Sequence, residues 1–87
     1  MASFEIRFKK SVAKDLRTLP NEDVRRILKR IEALSNDPRP PGSEKLSAHE
    51  RYRVRQGVYR VVYEIHDSAL VVIVVKVAHR REVYKRR

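Results

Sequence analysis

The sequence contains no cysteine, which removes disulfide scaffolds, thiolate metal ligands and cysteine nucleophiles together and is compatible with a reducing cytosol. It also lacks a long apolar run. The longest, residues 69–75, falls far short of the ~20 residues that a bilayer-spanning helix takes. The first ten residues carry Glu5, Arg7, Lys9 and Lys10, so they have no unbroken apolar core of the kind a signal peptide uses. There is no internal repeat and no low-complexity tract. The three histidines, His49, His66 and His79, are not spaced as metal ligands, so no metal centre is expected. A length of 87 residues leaves room for one domain, residues 1–87.

Acidic residues are in short supply as well. Eleven Asp and Glu stand against 21 Lys and Arg, a net charge of +10. Lys and Arg that neutralise a phosphate backbone release its condensed counterions, so such an excess suits a nucleic-acid binder. An anionic membrane surface or an acidic protein would satisfy the same charge. The excess is uneven: residues 51–87 hold ten basic and three acidic residues, whereas residues 1–50 hold eleven and eight.

Hydrophobic periodicity gives the elements. Phe4, Ile6 and Phe8 alternate with charged residues, which predicts a half-buried strand over residues 2–9. Val12, Leu16 and Leu19 recur at helical spacing between a capping Ser11 and a terminating Pro20. Asn21 is placed to cap a second helix, with Glu22 and Asp23 in its positive first turn and Val24, Ile27, Leu28, Ile31 and Leu34 as its apolar stripe. Residues 37–44, with Pro38, Pro40, Pro41 and Gly42, then predict a loop. Three strands follow as a meander: residues 51–55, a turn at Gln56-Gly57, residues 58–65, a turn at residues 66–68, and the apolar residues 70–77. The expected fold is α+β, with an N-terminal strand and two helices packed on an antiparallel sheet in the order β-α-α-β-β-β.

Because side chains alternate along a strand, Arg51, Arg53 and Arg55 project from one side while Tyr52 and Val54 point to the other. Tyr52, Tyr59 and Tyr63 each fall on the apolar side of their strand and read as core. Like charges in a row repel, so three arginines on one sheet face call for an anionic counterpart. The bland reading is a solvated face.

The segment Gly57-Val58-Tyr59-Arg60-Val61-Val62-Tyr63-Glu64-Ile65, followed by Val77-Ala78-His79-Arg80-Arg81-Glu82-Val83-Tyr84, closely resembles the end of RelE-like toxins in the RelE/ParE superfamily. Residues 8–20 and Lys45-Leu46 are similar to that family too, so the likeness spans nearly the whole chain in one element order. The resemblance implies a cytoplasmic toxin that enters the ribosomal A site, cuts the bound mRNA there and is neutralised by a cognate antitoxin. Neither a membrane nor a metal is among the implied partners. Matched position by position, the basic pair on the first hairpin strand is Arg53 and Arg55, the arginine of the next strand is Arg60, the later basic residue is Arg80, and the functional tyrosine is Tyr84. Arg51, Lys76, Arg81 and Lys85 are expected to add RNA contacts.

The implied reaction is attack of the ribose 2′-OH on the adjacent phosphorus, which needs no cofactor. Fixed cations stabilise the charge that develops at the phosphorane. Ribonuclease members often carry Lys where this sequence has Arg53 and Arg55, and arginine stays protonated, so the usual base is missing. His79 is one replacement, since imidazole is the side-chain group most often used for proton exchange. The ribosomal RNA around the A site, orienting the attacking hydroxyl, is another. Two other functions fit the same scaffold: a ParE-like gyrase poison that binds protein, and a nonenzymatic RNA-binding module.

Overall fold

A computed structural model describes residues 3–46 and 50–80. Its elements run in the order strand β1 (Glu5–Phe8), helix α1 (Lys10–Arg17), helix α2 (Asn21–Ala33), strand β2 (Glu44–Leu46), strand β3 (Arg51–Gln56), strand β4 (Tyr59–His66), a 3₁₀ turn (Asp67–Ala69) and strand β5 (Val71–His79). The five strands form one sheet in the order β1-β5-β4-β3-β2, with the helices on one face. The α+β class and the order of the expected elements hold. The sheet differs from the expectation in two respects. It is mixed, because β1 runs parallel to β5 with Glu5 opposite Val71 and Phe8 opposite Val74. It also gains β2, since Glu44, expected in the proline loop, begins a strand antiparallel to β3.

Both helices start earlier than their expected capping residues suggest, α1 by two residues and α2 by one. Lys9 is still hydrogen-bonded through its amide to Val74 O, and α1 begins at the next residue, leaving Ser11 inside the helix. Pro20 takes the position before α2, and Asn21 becomes its first helical residue, with Glu22 and Asp23 in the first turn as expected. The inner stripe of α2 is Ile27, Ile31 and Leu34, all fully buried or nearly so, whereas Leu28 stays 40% exposed.

The helix-side face of the sheet supplies the rest of the core: Tyr52 and Val54 from β3, Tyr59, Val61, Tyr63 and Ile65 from β4, and Val72, Val74 and Val77 from β5. Tyr52 and Tyr63 stack across the strands at 6.0 Å between ring centroids. The Tyr63 hydroxyl donates to Pro38 O at 2.7 Å, which ties the proline loop to the sheet. Burial pushes that phenol up to about 12, because the charged form would lose its solvent. Arg39 pins the same loop by forking onto Asp67 at 2.9 and 3.2 Å and lying 5.1 Å over the Tyr52 ring.

The β3–β4 hairpin fixes which residues meet on the opposite face. Gln56 pairs with Tyr59, so the loop is Gly57-Val58, one residue later than the sequence suggests. Gly57 carries the positive φ of +61° that a tight two-residue turn requires at its first position. A bulge between Val62 and Tyr63 against β5 then shifts the register of the sheet. No described helix is long and apolar enough to cross a membrane.

Candidate functional site: an arginine face on the sheet

Residues directly opposite in neighbouring strands share a face, and the register places Arg51 opposite Glu64, Arg53 opposite Val62 and Arg55 opposite Arg60. All six lie away from the tyrosine and valine core. On the other side of β3, Glu44 lies opposite Arg53 and Leu46 opposite Arg51, so β2 adds a carboxylate to the same face. The result is a patch with four guanidinium groups, Arg51, Arg53, Arg55 and Arg60, against two carboxylates, Glu44 and Glu64.

The two carboxylates divide the patch. Arg51 donates to Glu64 at 3.0–3.1 Å, and His66 bonds the other oxygen of Glu64 at 3.0 Å, at the end of β4 far from the hairpin turn. Those bonds, from His66 first and Arg51 second, hold the Glu64 carboxyl below its ordinary range. Arg53 donates to Glu44. Glu44 is likewise held below the usual carboxylate range, first by that hydrogen bond and then by attraction to Arg53, with Arg55 and Arg60 adding to it. Glu44, Arg53, Arg55 and Arg60 therefore act on one another as a single electrostatic cluster.

Within the cluster the arginines are not equivalent. Arg55 is exposed and has no carboxylate partner among the described residues. Arg60 is only 3% exposed, flanked in register by Arg55 on β3 and Ala78 on β5. A buried guanidinium is held in one place, which suits aiming charge at a fixed point. Arg80 follows β5, and its amide donates to Val58 O in the hairpin turn at 2.8 Å. That bond fixes the backbone of Arg80 at the Arg55–Arg60 end of the sheet.

Two other expected site residues lie elsewhere. His79 is paired with Tyr59 and meets its ring edge-on at 5.8 Å, on the face that carries the helices. There it lines a cleft of about 490 Å³ with Asp15, Thr18, Tyr59 and Lys76. Successive residues alternate faces, so His79 is across the sheet from Arg60, and the structure gives its proposed proton exchange at the arginine cluster no support. Lys76 is turned to α1, where its ammonium lies 3.5 Å from Asp15 and the other Asp15 oxygen accepts the Val77 amide at 3.1 Å. Arg81, Tyr84 and Lys85, like His49, lie outside the described residues. Among the described residues no group of three or more His, Asp or Glu converges as a metal site.

Glu44 is the residue that sequence reasoning missed. Its position after three prolines reads as loop, and only the pairing of β2 with β3 brings it to Arg53. No local pattern in the chain announces that pairing.

The described fold is a small, strongly basic α+β domain with four arginines gathered on one sheet face. Comparison with known proteins narrows the class to the small toxins of type II toxin–antitoxin systems: the family described as ParE toxin of the type II toxin-antitoxin system parDE matches residues 6–84. The chain belongs to that RelE/ParE superfamily and is a RelE-like toxin. It is 31% identical to the candidate toxin RelE1 of Methanocaldococcus jannaschii, over 94% of this chain and 96% of that protein. It is 27% identical to toxin RelG of Mycobacterium tuberculosis, over 95% and 98% of the two chains. Its fold is similar to that of the archaeal RelE–RelB complex of Pyrococcus horikoshii, with a TM-score of 0.81 and 30% identity over 90% of this chain and 96% of that one.

Proposed function

We propose that this toxin is a metal-independent endoribonuclease that cuts mRNA in the ribosomal A site and so stops translation. The observation that carries the reading is the convergence of Arg53, Arg55 and Arg60 on one sheet face, with the Arg80 backbone bonded to the turn beside them. A phosphodiester lying across that face would meet cations from two strands, and fixed cations favour the dianionic phosphorane over the monoanionic ground state. Each well-placed donor removed costs on the order of 3 kcal/mol of barrier. The substrate supplies its own nucleophile, the 2′-OH, and the products are a 2′,3′-cyclic phosphate and a 5′-OH.

In this reading a cognate antitoxin silences the toxin, as the RelE of Pyrococcus horikoshii was solved bound to RelB. Four guanidinium groups on one face favour an acidic antitoxin segment by charge complementarity. The test uses purified toxin, translating ribosomes and primer extension, and the expected result is cuts confined to the A-site codon. Intact message together with inhibited gyrase supercoiling would favour a ParE-like poison, the other reading within the superfamily. RNA binding without cuts would favour a nonenzymatic module.

A further inference from the structure

We propose that Arg51, Glu64 and His66 form a second phosphate subsite on the arginine face, one that holds an RNA phosphate flanking the scissile one and tightens when His66 takes up a proton. The subsite rests on the reading above that RNA lies along this face. It adds a contact at the end of the sheet remote from the Arg55 and Arg60 pair.

Spacing is the first argument. Arg51 continues the row of Arg53 and Arg55 along one side of β3, and each step of two residues is about 7 Å at ~3.3 Å per residue. An extended single strand repeats its phosphates on nearly the same step, so a backbone that meets Arg53 and Arg55 brings a further phosphate to Arg51. The second argument is the geometry of the guanidinium. Its Nε and Nη2 atoms both bond Glu64 Oε2, at 3.1 and 3.0 Å, which fixes the group on the sheet and uses only its side-on edge. The end-on edge, Nη1 with Nη2, suits a phosphate bidentately. The Arg51 side chain is 42% exposed to receive one.

Charge decides how tightly it binds. Glu64 is held in its ionised form, and an ionised carboxylate only accepts, so His66 donates its Nε2 hydrogen to Glu64 Oε1 at 3.0 Å. Nδ1 is therefore the ring nitrogen left to take up a proton. With His66 neutral, Arg51 and Glu64 cancel; with His66 as imidazolium, the three side chains carry one net positive charge for the phosphate. The acids around them are matched already: Glu5 pairs with Arg7 on β1, Glu50 with Lys45 on β2, and Asp67 with Arg39. The residue opposite His66 on β5 is Val71, which carries no charge. Imidazole gains its charge on mild acidification, so the grip on RNA at this end of the face follows pH.

The experiment uses short labelled oligoribonucleotides, 2′-O-methylated so that they are not cut, in which one phosphate at a time is replaced by an uncharged methylphosphonate. Fluorescence anisotropy gives affinities at about pH 7.5 and about pH 5.5 for wild type, Arg51→Gln and His66→Asn, with thermal melts as the folding control. In wild type, one flanking replacement should lower affinity about 5-fold at the lower pH, the order of an exposed ion pair. Arg51→Gln should lose the same factor on the unmodified strand and become indifferent to that replacement alone, as a double-mutant cycle requires of groups in contact. His66→Asn should match wild type at the higher pH and lose its gain on acidification. A wild-type scan in which no flanking phosphate matters, the same scan profile in Arg51→Gln, or an acid gain undiminished in His66→Asn overturns the subsite and leaves the nuclease reading standing. A wild-type protein that shows the expected scan but cuts no message on ribosomes overturns the nuclease reading and leaves the subsite. One that binds no RNA overturns both.

Discussion

At the residue scale, Arg60 joins two demands that usually fall on different side chains. It belongs to the arginine cluster, yet at 3% exposure it is as buried as core residues such as Val77. Its aliphatic stem therefore packs like a hydrophobe while its head carries charge, and truncation removes both. Arg60→Ala should lose cleavage and about 1–2 kcal/mol of stability, a melting-point drop of roughly 5–15 °C for a domain this size. Arg60→Met, which restores the stem volume without the buried charge, should melt within a few degrees of wild type and still be inactive. Thermal melts by circular dichroism and the ribosome assay read the two effects separately. An active Arg60→Met protein would remove Arg60 from the chemistry. Arg55, exposed on the same face, should give the complementary result of lost cleavage with an unchanged melt.

Two turns decide how well the elements hold the cluster together. The Gly57-Val58 turn sets the register that brings Arg55 opposite Arg60, and its second residue accepts the Arg80 amide. A Cβ on Gly57 would meet nothing within 4 Å, so Gly57→Ala is opposed by its φ of +61° alone. The expected penalty is about 1–2 kcal/mol. Leu70 presents the reverse case: a branched, exposed side chain sits at φ +56° between the 3₁₀ turn and β5. Asparagine tolerates that conformation better than leucine. Leu70→Asn should therefore raise the melting temperature by a few degrees, because Leu70 contributes nothing to the core cluster. Denaturant melts of the two variants should move in opposite directions, and a shift of the same sign in both would show that backbone strain does not govern these turns.

For the whole molecule, the net charge of +10 is distributed so that residues 51–87 carry most of it, and one sheet face gathers four of the arginines. If Arg53, Arg55, Arg60 and Arg80 each contact a phosphate, affinity for a short single-stranded RNA should fall with a log–log salt slope of about −3. That slope means a loss of about 50-fold between 50 and 200 mM salt. Arg55→Gln should make the slope shallower by about 0.7. Fluorescence anisotropy with a labelled oligoribonucleotide measures both values, and an affinity indifferent to salt would argue against phosphate contacts.

The sequence by itself determined what short-range periodicity can carry. Alternation put Arg51, Arg53 and Arg55 on one face and Tyr52 and Val54 on the other, helical spacing marked Ile27 and Ile31 as core, and residues 57–65 with 77–84 carried the family likeness. Each of these depends on neighbours a few residues apart. The tertiary structure alone decided the parallel seat of β1 beside β5, the arrival of Glu44 at Arg53, and the facing of His79 toward Tyr59. The physical reason is that pairing between distant strands is fixed by packing the whole sheet against two helices. A bulge or a single-residue shift in register changes which side chains share a face without altering any local pattern.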